Sequence, residues 1–210
     1  MAEAAYLELP YPEVGVVDEG SLSEQNLAIA CALPDRPLVL GGCCCAHVGA
    51  VEGLSARYET LAVVWLDAHG DLNTHQSSPS GNEWGMPLRM LLDSGTVEPG
   101  RTALLGARSL DPPEEEFIER TGIVTDSVRL ESAITGADAV YVALDVDVLD
   151  PAEPVAAHME EPNGPTLAEI ALLLERISVT RPLAGVGLTG LAPDPANPRG
   201  LEPLLGALGL

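Results

Sequence analysis

The chain of 210 residues predicts an α/β fold with a mostly parallel sheet. Three observations carry that prediction. Short apolar runs alternate with segments whose apolar residues recur at helical spacing. Two of the runs, at 61–66 and 139–145, are almost wholly apolar, as buried strands are. Both end in acidic residues followed by polar loops. In open α/β sheets that is where ligands bind.

Taken in order, the pattern predicts a helix over 22–33, a strand over 37–41 and a helix over 45–58. A strand over 61–66, a helix over 86–94, a strand over 102–107 and a helix over 113–120 follow. A weaker strand near 122–125 and a helix over 127–134 precede the strand at 139–145. A helix over 166–178 and a strand over 183–189 complete the alternation. Thr166 with Glu169 reads as a capping box, and Leu167, Ile170, Ala171, Leu174 and Ile177 keep core spacing behind it. The stretches 73–83 and 150–165 are polar and turn-rich and are expected to rim a site. The tail, Pro193 to Leu210, is rich in Pro, Gly and Leu and suits a short terminal helix or a subunit contact. No repeat or linker divides the sequence, so 1–210 reads as one domain.

Bulk properties narrow the function. Ten Lys and Arg against 32 Asp and Glu give a net charge of −22. Such a surface repels nucleic acid and anionic membrane and attracts cations, whether metal ions or guanidinium groups. It is also what plain solubility requires. No stretch is long and apolar enough to span a bilayer. The first residues, Met1-Ala2-Glu3-Ala4, lack the basic-then-apolar pattern of a secretion signal. Cysteines stand at 31, 43, 44 and 45, and the consecutive three are poorly placed to pair. A cytoplasmic protein is expected.

The chemistry gathers at two strand ends. Asp67, His69 and Asp71 alternate in Val63-Val64-Trp65-Leu66-Asp67-Ala68-His69-Gly70-Asp71. Period-two spacing puts them on one side of an extended chain. Asp145 and Asp147 alternate likewise after Ala139-Val140-Tyr141-Val142-Ala143-Leu144. Carboxylates brought together out of water disfavour each other's ionisation unless a cation sits between them. Four carboxylates and one imidazole suffice for two metals sharing bridging oxygens. Asp150, before Pro151, reads as the cap of the following turn.

These residues resemble a known family. Asp67-Ala68-His69-Gly70-Asp71-Leu72-Asn73-Thr74, with Ser80-Gly81-Asn82 and Gly85-Met86-Pro87 behind it, resembles the central signature of the arginase/agmatinase ureohydrolases. Asp145-Val146-Asp147-Val148-Leu149-Asp150-Pro151 resembles their second signature, and Gly41-Gly42 stands where their first begins. The resemblance runs over about residues 37–193. It implies a three-layer αβα, arginase-like fold, abbreviated at the N-terminus. It also implies a metal-dependent hydrolase of non-peptide C–N bonds in linear amidines. In that chemistry hydroxide held by manganese attacks a guanidino or related carbon of a small amino-acid derivative. The alternative is a catalytically degenerate relative that binds metal or ligand without turnover. A homo-oligomer is implied in either case.

Mapped onto this chain, the family's second metal site comprises His69, Asp67, Asp145 and Asp147. Asp71 serves the first site, while Asp67 and Asp145 bridge. Cys44 stands where the family has the first-site His; as a soft ligand it would favour Zn2+ or Fe2+ over Mn2+. Neighbouring Cys43 and Cys45 read as packing residues. His47, one helical turn on, could approach the metal from its helix, but reads rather as a helix residue without a metal role. Trp84 occupies the place of a proton-transferring His, and Gly190 that of a Glu that pairs with guanidinium. His75 and Glu83 are the substitutes the sequence offers. Asn73, Ser78, Ser80 and Asn82 hold places that bind a substrate carboxylate, and Asp111 one that meets its amino group. Ordinary turn chemistry accounts for the same residues.

Overall fold

A computed structural model describes residue 9, residues 11–18 and residues 20–210. The acidic start, Met1-Ala2-Glu3-Ala4, lies outside the described residues. Among the described residues seven α-helices and five strands follow in order: α1 (Leu22–Ala32), β1 (Leu38–Leu40), α2 (Cys45–Ser55), β2 (Leu61–Leu66), α3 (Pro87–Asp93) and β3 (Thr102–Leu105). Then come α4 (Pro112–Thr121), α5 (Leu130–Ile134), β4 (Ala139–Asp145), α6 (Leu167–Thr180), β5 (Leu183–Thr189) and α7 (Asn197–Ala207). The strands form one sheet in the order β1-β5-β4-β2-β3, and every pair is parallel.

The side chains explain the layers. Every residue of β2, β4 and β5 is buried, as a sheet covered on both faces requires. Alternation along β2 sends Ala62, Val64 and Leu66 to one apolar cluster with residues of α5, α6 and α7. Leu61, Val63 and Trp65 go to the other, with residues of α2, α3 and α4. The result is the three-layer αβα arrangement expected from the sequence. Helix starts are written locally. Ser21 with Glu24 and Thr166 with Glu169 both form capping boxes. Ile170, Leu174 and Ile177 are the buried face of α6.

The boundaries agree with the reading to within a few residues, with two adjustments. Residues 122–125 make no strand. Val124 forms a single parallel bridge with Ala103, and Asp126 then turns the chain by accepting the Arg129 N–H at 2.9 Å. The tail resolves as the helix α7 and buries Leu201, Leu204 and Leu205 against the sheet's first cluster. Among the described residues no helix is long and apolar enough to cross a membrane.

Candidate metal centre

The main chain leaves the sheet core at β2 and carries its polar groups with it. The Asp67 N–H donates to Leu105 O at 3.2 Å, so strand pairing continues one residue beyond β2. Asp67 Oδ1 then accepts the His69 N–H at 2.7 Å, and Oδ2 faces the Trp65 indole N–H at 3.3 Å. Asp71 sits at φ +53°, in the left-handed region that Asp tolerates better than most residues. Hence Asp67, His69 and Asp71 do not lie along an extended strand, as period-two spacing predicts. The extended path continues to His69, which bridges Ser109 in parallel, and breaks at Asp71. β4 ends similarly: Val146–Val148 is a single 3-10 turn, and Asp145 Oδ1 accepts the Asp147 N–H at 3.0 Å.

Pairing of β2 with β4, Leu66 opposite Leu144, sets the two acidic ends side by side. The Ala68 N–H donates to Asp147 Oδ1 at 3.1 Å. His69 Nδ1 lies 3.1 Å from Asp147 Oδ2 and 3.3 Å from Asp67 Oδ1. Its Nε2 lies 3.6 Å from Glu161 Oε1, so the 150–165 stretch does reach the site. Arg108 holds that stretch. Its guanidinium donates to the carbonyls of Asp147, Val148, Glu161 and Pro162 at 2.7–3.0 Å. Cys44, at the start of α2, directs Sγ to Asp145 Oδ2 at 3.1 Å and to Asp67 Oδ2 at 3.4 Å.

Two groups of donor atoms result, each spanning no more than 4.8 Å. One is Cys44, Asp67 and Asp71; the other is Asp67, His69 and Asp147. Asp67 belongs to both. Asp145 touches the first group through Cys44 and is also held by the Thr189 hydroxyl, which donates to its Oδ2 at 2.9 Å.

Charge is the unsolved quantity of this cluster. Asp67, Asp71, Asp145 and Asp147 are all buried. Burial, then the neighbouring carboxylates Asp67 and Asp145, pushes the Asp71 pKa well above the usual range. Burial, then Asp147, raises Asp145 to about 6. Burial first also raises Asp147. Burial, then Asp145, Asp71 and Asp67, pushes the Cys44 thiol up, so it stays neutral. His69 moves the other way for an imidazole: hydrogen bonds to Asp147 and Asp67 raise it to about 11. Its proton occupies the position of a positive charge. On the Cys44 side no such charge stands, and Asp71 Oδ2 is buried without a hydrogen-bond partner. An orphaned carboxylate oxygen amid hard oxygen donors, an imidazole and a thiol fits a divalent cation.

The other expected residues divide clearly. His47 is fully buried between Tyr141 and Thr189, and burial lowers its pKa to about 3, in keeping with a helix residue that is no ligand. His75 and Glu83 face each other at 3.8 Å, both about half exposed or more. Trp84 is exposed on the 3-10 turn Glu83–Gly85. Asn73 and Asp111 are brought together, Nδ2 donating to Oδ2 at 2.8 Å. Ser78 and Ser80 bond each other at 3.3 Å, while the Asn82 N–H donates to Ser80 Oγ at 3.2 Å. Asp150 caps its turn as expected, accepting the Ala152 N–H at 3.0 Å. Gly190, at φ +77°, passes so close to Asp145 that a Cβ there would collide with Asp145 Oδ1.

Sequence reasoning missed three residues. Buried Glu114 accepts the Leu72 and Asp111 N–H groups, both at 2.9 Å, and so ties the acidic turn to the start of α4. Its signal was the Asp111-Pro112-Pro113-Glu114 spacing of a capping box. Thr189 stands opposite Asp145 in the β4–β5 register, and its signal was a lone hydroxyl ending an apolar run. Glu161 carried no signal, because only the loop path brings it to His69.

Comparison with known proteins shows the family and the fold. The chain matches the model of the arginase family over residues 14–206. It is 35% identical to the arginase of Staphylococcus aureus (strain MRSA252) over 182 residues, which is 75% of this chain and 60% of that protein. It therefore spans less than two thirds of that relative's length. The crystal structure of arginase from Bacillus cereus superimposes with a TM-score of 0.84 at 25% identity, covering 89% of this chain and 77% of that one. The native arginase of Bacillus caldovelox gives 0.83 at 27% identity, covering 95% and 82%. Fold and clustered donors together define the class, a parallel α/β protein with a candidate metal centre beyond its strand ends. The chain belongs to the arginase family.

Proposed function

We propose that the protein is a metal-dependent hydrolase of the arginase type, acting on a C–N bond of a linear amidine carried by a small amino-acid-like molecule. One observation carries the reading: two donor groups share Asp67 and leave buried Asp71 Oδ2 without a partner. Cys44, Asp67 and Asp71 would hold one cation; Asp67, His69 and Asp147, with Asp145 alongside, would hold the other. A divalent cation bound there supplies Lewis acidity and lowers the pKa of water. Manganese suits the carboxylates, whereas the Cys44 thiol favours zinc or ferrous iron.

The chain's own residues do the rest. His69 would offer Nδ1 to a cation only as the neutral imidazole, because a metal-bound nitrogen must be free of its proton. Glu161, beside Nε2, is placed to hold the ring's other N–H. Burial of the carboxylates excludes water from the charged cluster and strengthens every interaction within it. The Asn73–Asp111 pair, with Ser78, Ser80 and Asn82 on the 73–83 loop, supports binding of the substrate's amino-acid end. The four cysteines are all free, which supports a reducing, cytoplasmic setting.

The test begins with purified protein loaded with manganese, zinc or ferrous iron, its metal content measured by elemental analysis. Release of urea or ammonia from arginine, agmatine and related guanidino acids is then followed. Turnover with at least one metal is expected. Metal-replete, folded protein without turnover on any of them sinks the hydrolase reading and leaves a binding protein.

A further inference from the structure

A chain of hydrogen bonds runs through the core to Asp145, and the family signature accounts for none of its first members. Thr189 Oγ1 donates to Asp145 Oδ2 at 2.9 Å. Its single hydrogen is thereby spent, so His47 Nε2, 3.2 Å away, must be the donor to that oxygen. In a neutral imidazole the other nitrogen is then an acceptor. His47 Nδ1 lies 3.0 Å from Tyr141 Oη, which therefore donates. All four residues are buried, His47, Tyr141 and Thr189 completely. Trp65 packs edge-on against the His47 ring, with centroids 5.0 Å apart. The backbone makes room for this: a Cβ on Gly187 would collide with both His47 Nδ1 and Tyr141 Oη.

We infer that His47 is a positioning residue for the metal centre, fixing the Asp145 carboxylate through Thr189 while Tyr141 fixes the imidazole tautomer. The inference rests on the reading of Asp145 as a metal ligand. An unassisted Asp145 has a free torsion about its last bond. The relay limits that freedom by adding the Thr189 hydroxyl to the Cys44 thiol at Oδ2, while the Asp147 N–H holds Oδ1. Partners that orient ligands tune metal affinity as the ligands do.

The test uses full-length Thr189→Val, which deletes the hydroxyl and keeps the branched shape, with Thr189→Ser as the conservative rescue. His47→Leu breaks the relay one bond further back, and His47→Gln restores a donor. Manganese and zinc binding is measured by titration calorimetry on folded protein. Thr189→Val and His47→Leu should weaken binding by about 10- to 100-fold, while Thr189→Ser and His47→Gln should recover most of it. A merely structural role lowers the melting temperature in chelator but leaves the affinity of the folded protein unchanged, and that result overturns the inference. Metal-free crystals of Thr189→Val give a second readout. The Asp145 carboxylate should rotate from its wild-type position; a carboxylate that stays put overturns the inference whatever the wild type binds. Failure of the metal reading itself shows separately, as wild-type protein that binds neither ion.

Discussion

The two halves of the acidic cluster solve the same electrostatic problem in opposite ways. On the His69 side, an imidazole held near pKa 11 by Asp147 and Asp67 carries a proton that offsets one of the two carboxylate charges beside it. On the Cys44 side the thiol is neutral, Asp71 is pushed toward its protonated form, and one of its oxygens has no partner. The first half answers its carboxylates with a counter-charge; the second answers by keeping the proton on the acid itself, and leaves Asp71 Oδ2 buried without a partner. Donor count alone does not say how strongly a site wants a cation. The protons it holds when metal-free count as well, because a cation must displace them.

Removing the shared residue breaks the comparison most completely. Asp67→Asn keeps the shape and deletes the charge common to both halves. Metal content by elemental analysis should fall to about a tenth of wild type or less, since a lost ligand costs at least what a lost orienting partner does. Retention of one full equivalent would mean the halves do not share Asp67.

Next in size is Gly190→Glu, the substitution that family resemblance recommends for restoring guanidinium recognition. Here the geometry predicts the reverse. A side chain at 190 collides with Asp145, so the variant should lose metal and gain no arginine turnover. Overpacking should cost about 1–3 kcal/mol, a fall in Tm of roughly 2–12 °C for a chain of this size. Calorimetry and a urea assay together check it.

Cys44→His alters one half alone. Exchanging thiol for imidazole should shift the bound manganese-to-zinc ratio toward manganese by on the order of tenfold, read by competition and elemental analysis. An unchanged ratio would place Cys44 outside the coordination sphere.

The smallest effect is the pH dependence of metal-free stability. Asp145, raised from 3.8 to about 6, binds its proton more tightly in the folded state, so stability falls as pH climbs through that window. His69, raised from 6.5 to about 11, contributes stability that is complete below pH 6.5 and is lost as pH rises toward 11. Protein in chelator should therefore melt a few degrees lower at pH 8 than at pH 5. Added metal should stabilise more at the higher pH. In His69→Asn the decline above pH 6.5 should shrink, leaving the part that raised Asp71 contributes; an unchanged decline assigns it to groups other than His69.

Much of this molecule was legible in the chain itself. The five strands follow from short apolar runs alternating with helical patterns, and the capping box at Thr166 starts its helix through a contact three residues long. The candidate donors Asp67, His69, Asp71, Asp145 and Asp147 were legible too, since acidic residues directly after buried strands have few other reasons to be there. Tertiary structure alone decided how these donors meet. A left-handed Asp71 and a 3-10 turn after Asp145 replace the expected extended geometry. Neither leaves a periodic trace, because each is a choice of backbone angles over one to three residues, enforced by packing. The same holds for Glu161, the Thr189–His47–Tyr141 relay and the obstruction at Gly190. Local sequence specifies what each segment becomes on its own. Which distant groups share a hydrogen bond depends on strand register and loop path, and those are set only when the whole sheet has closed.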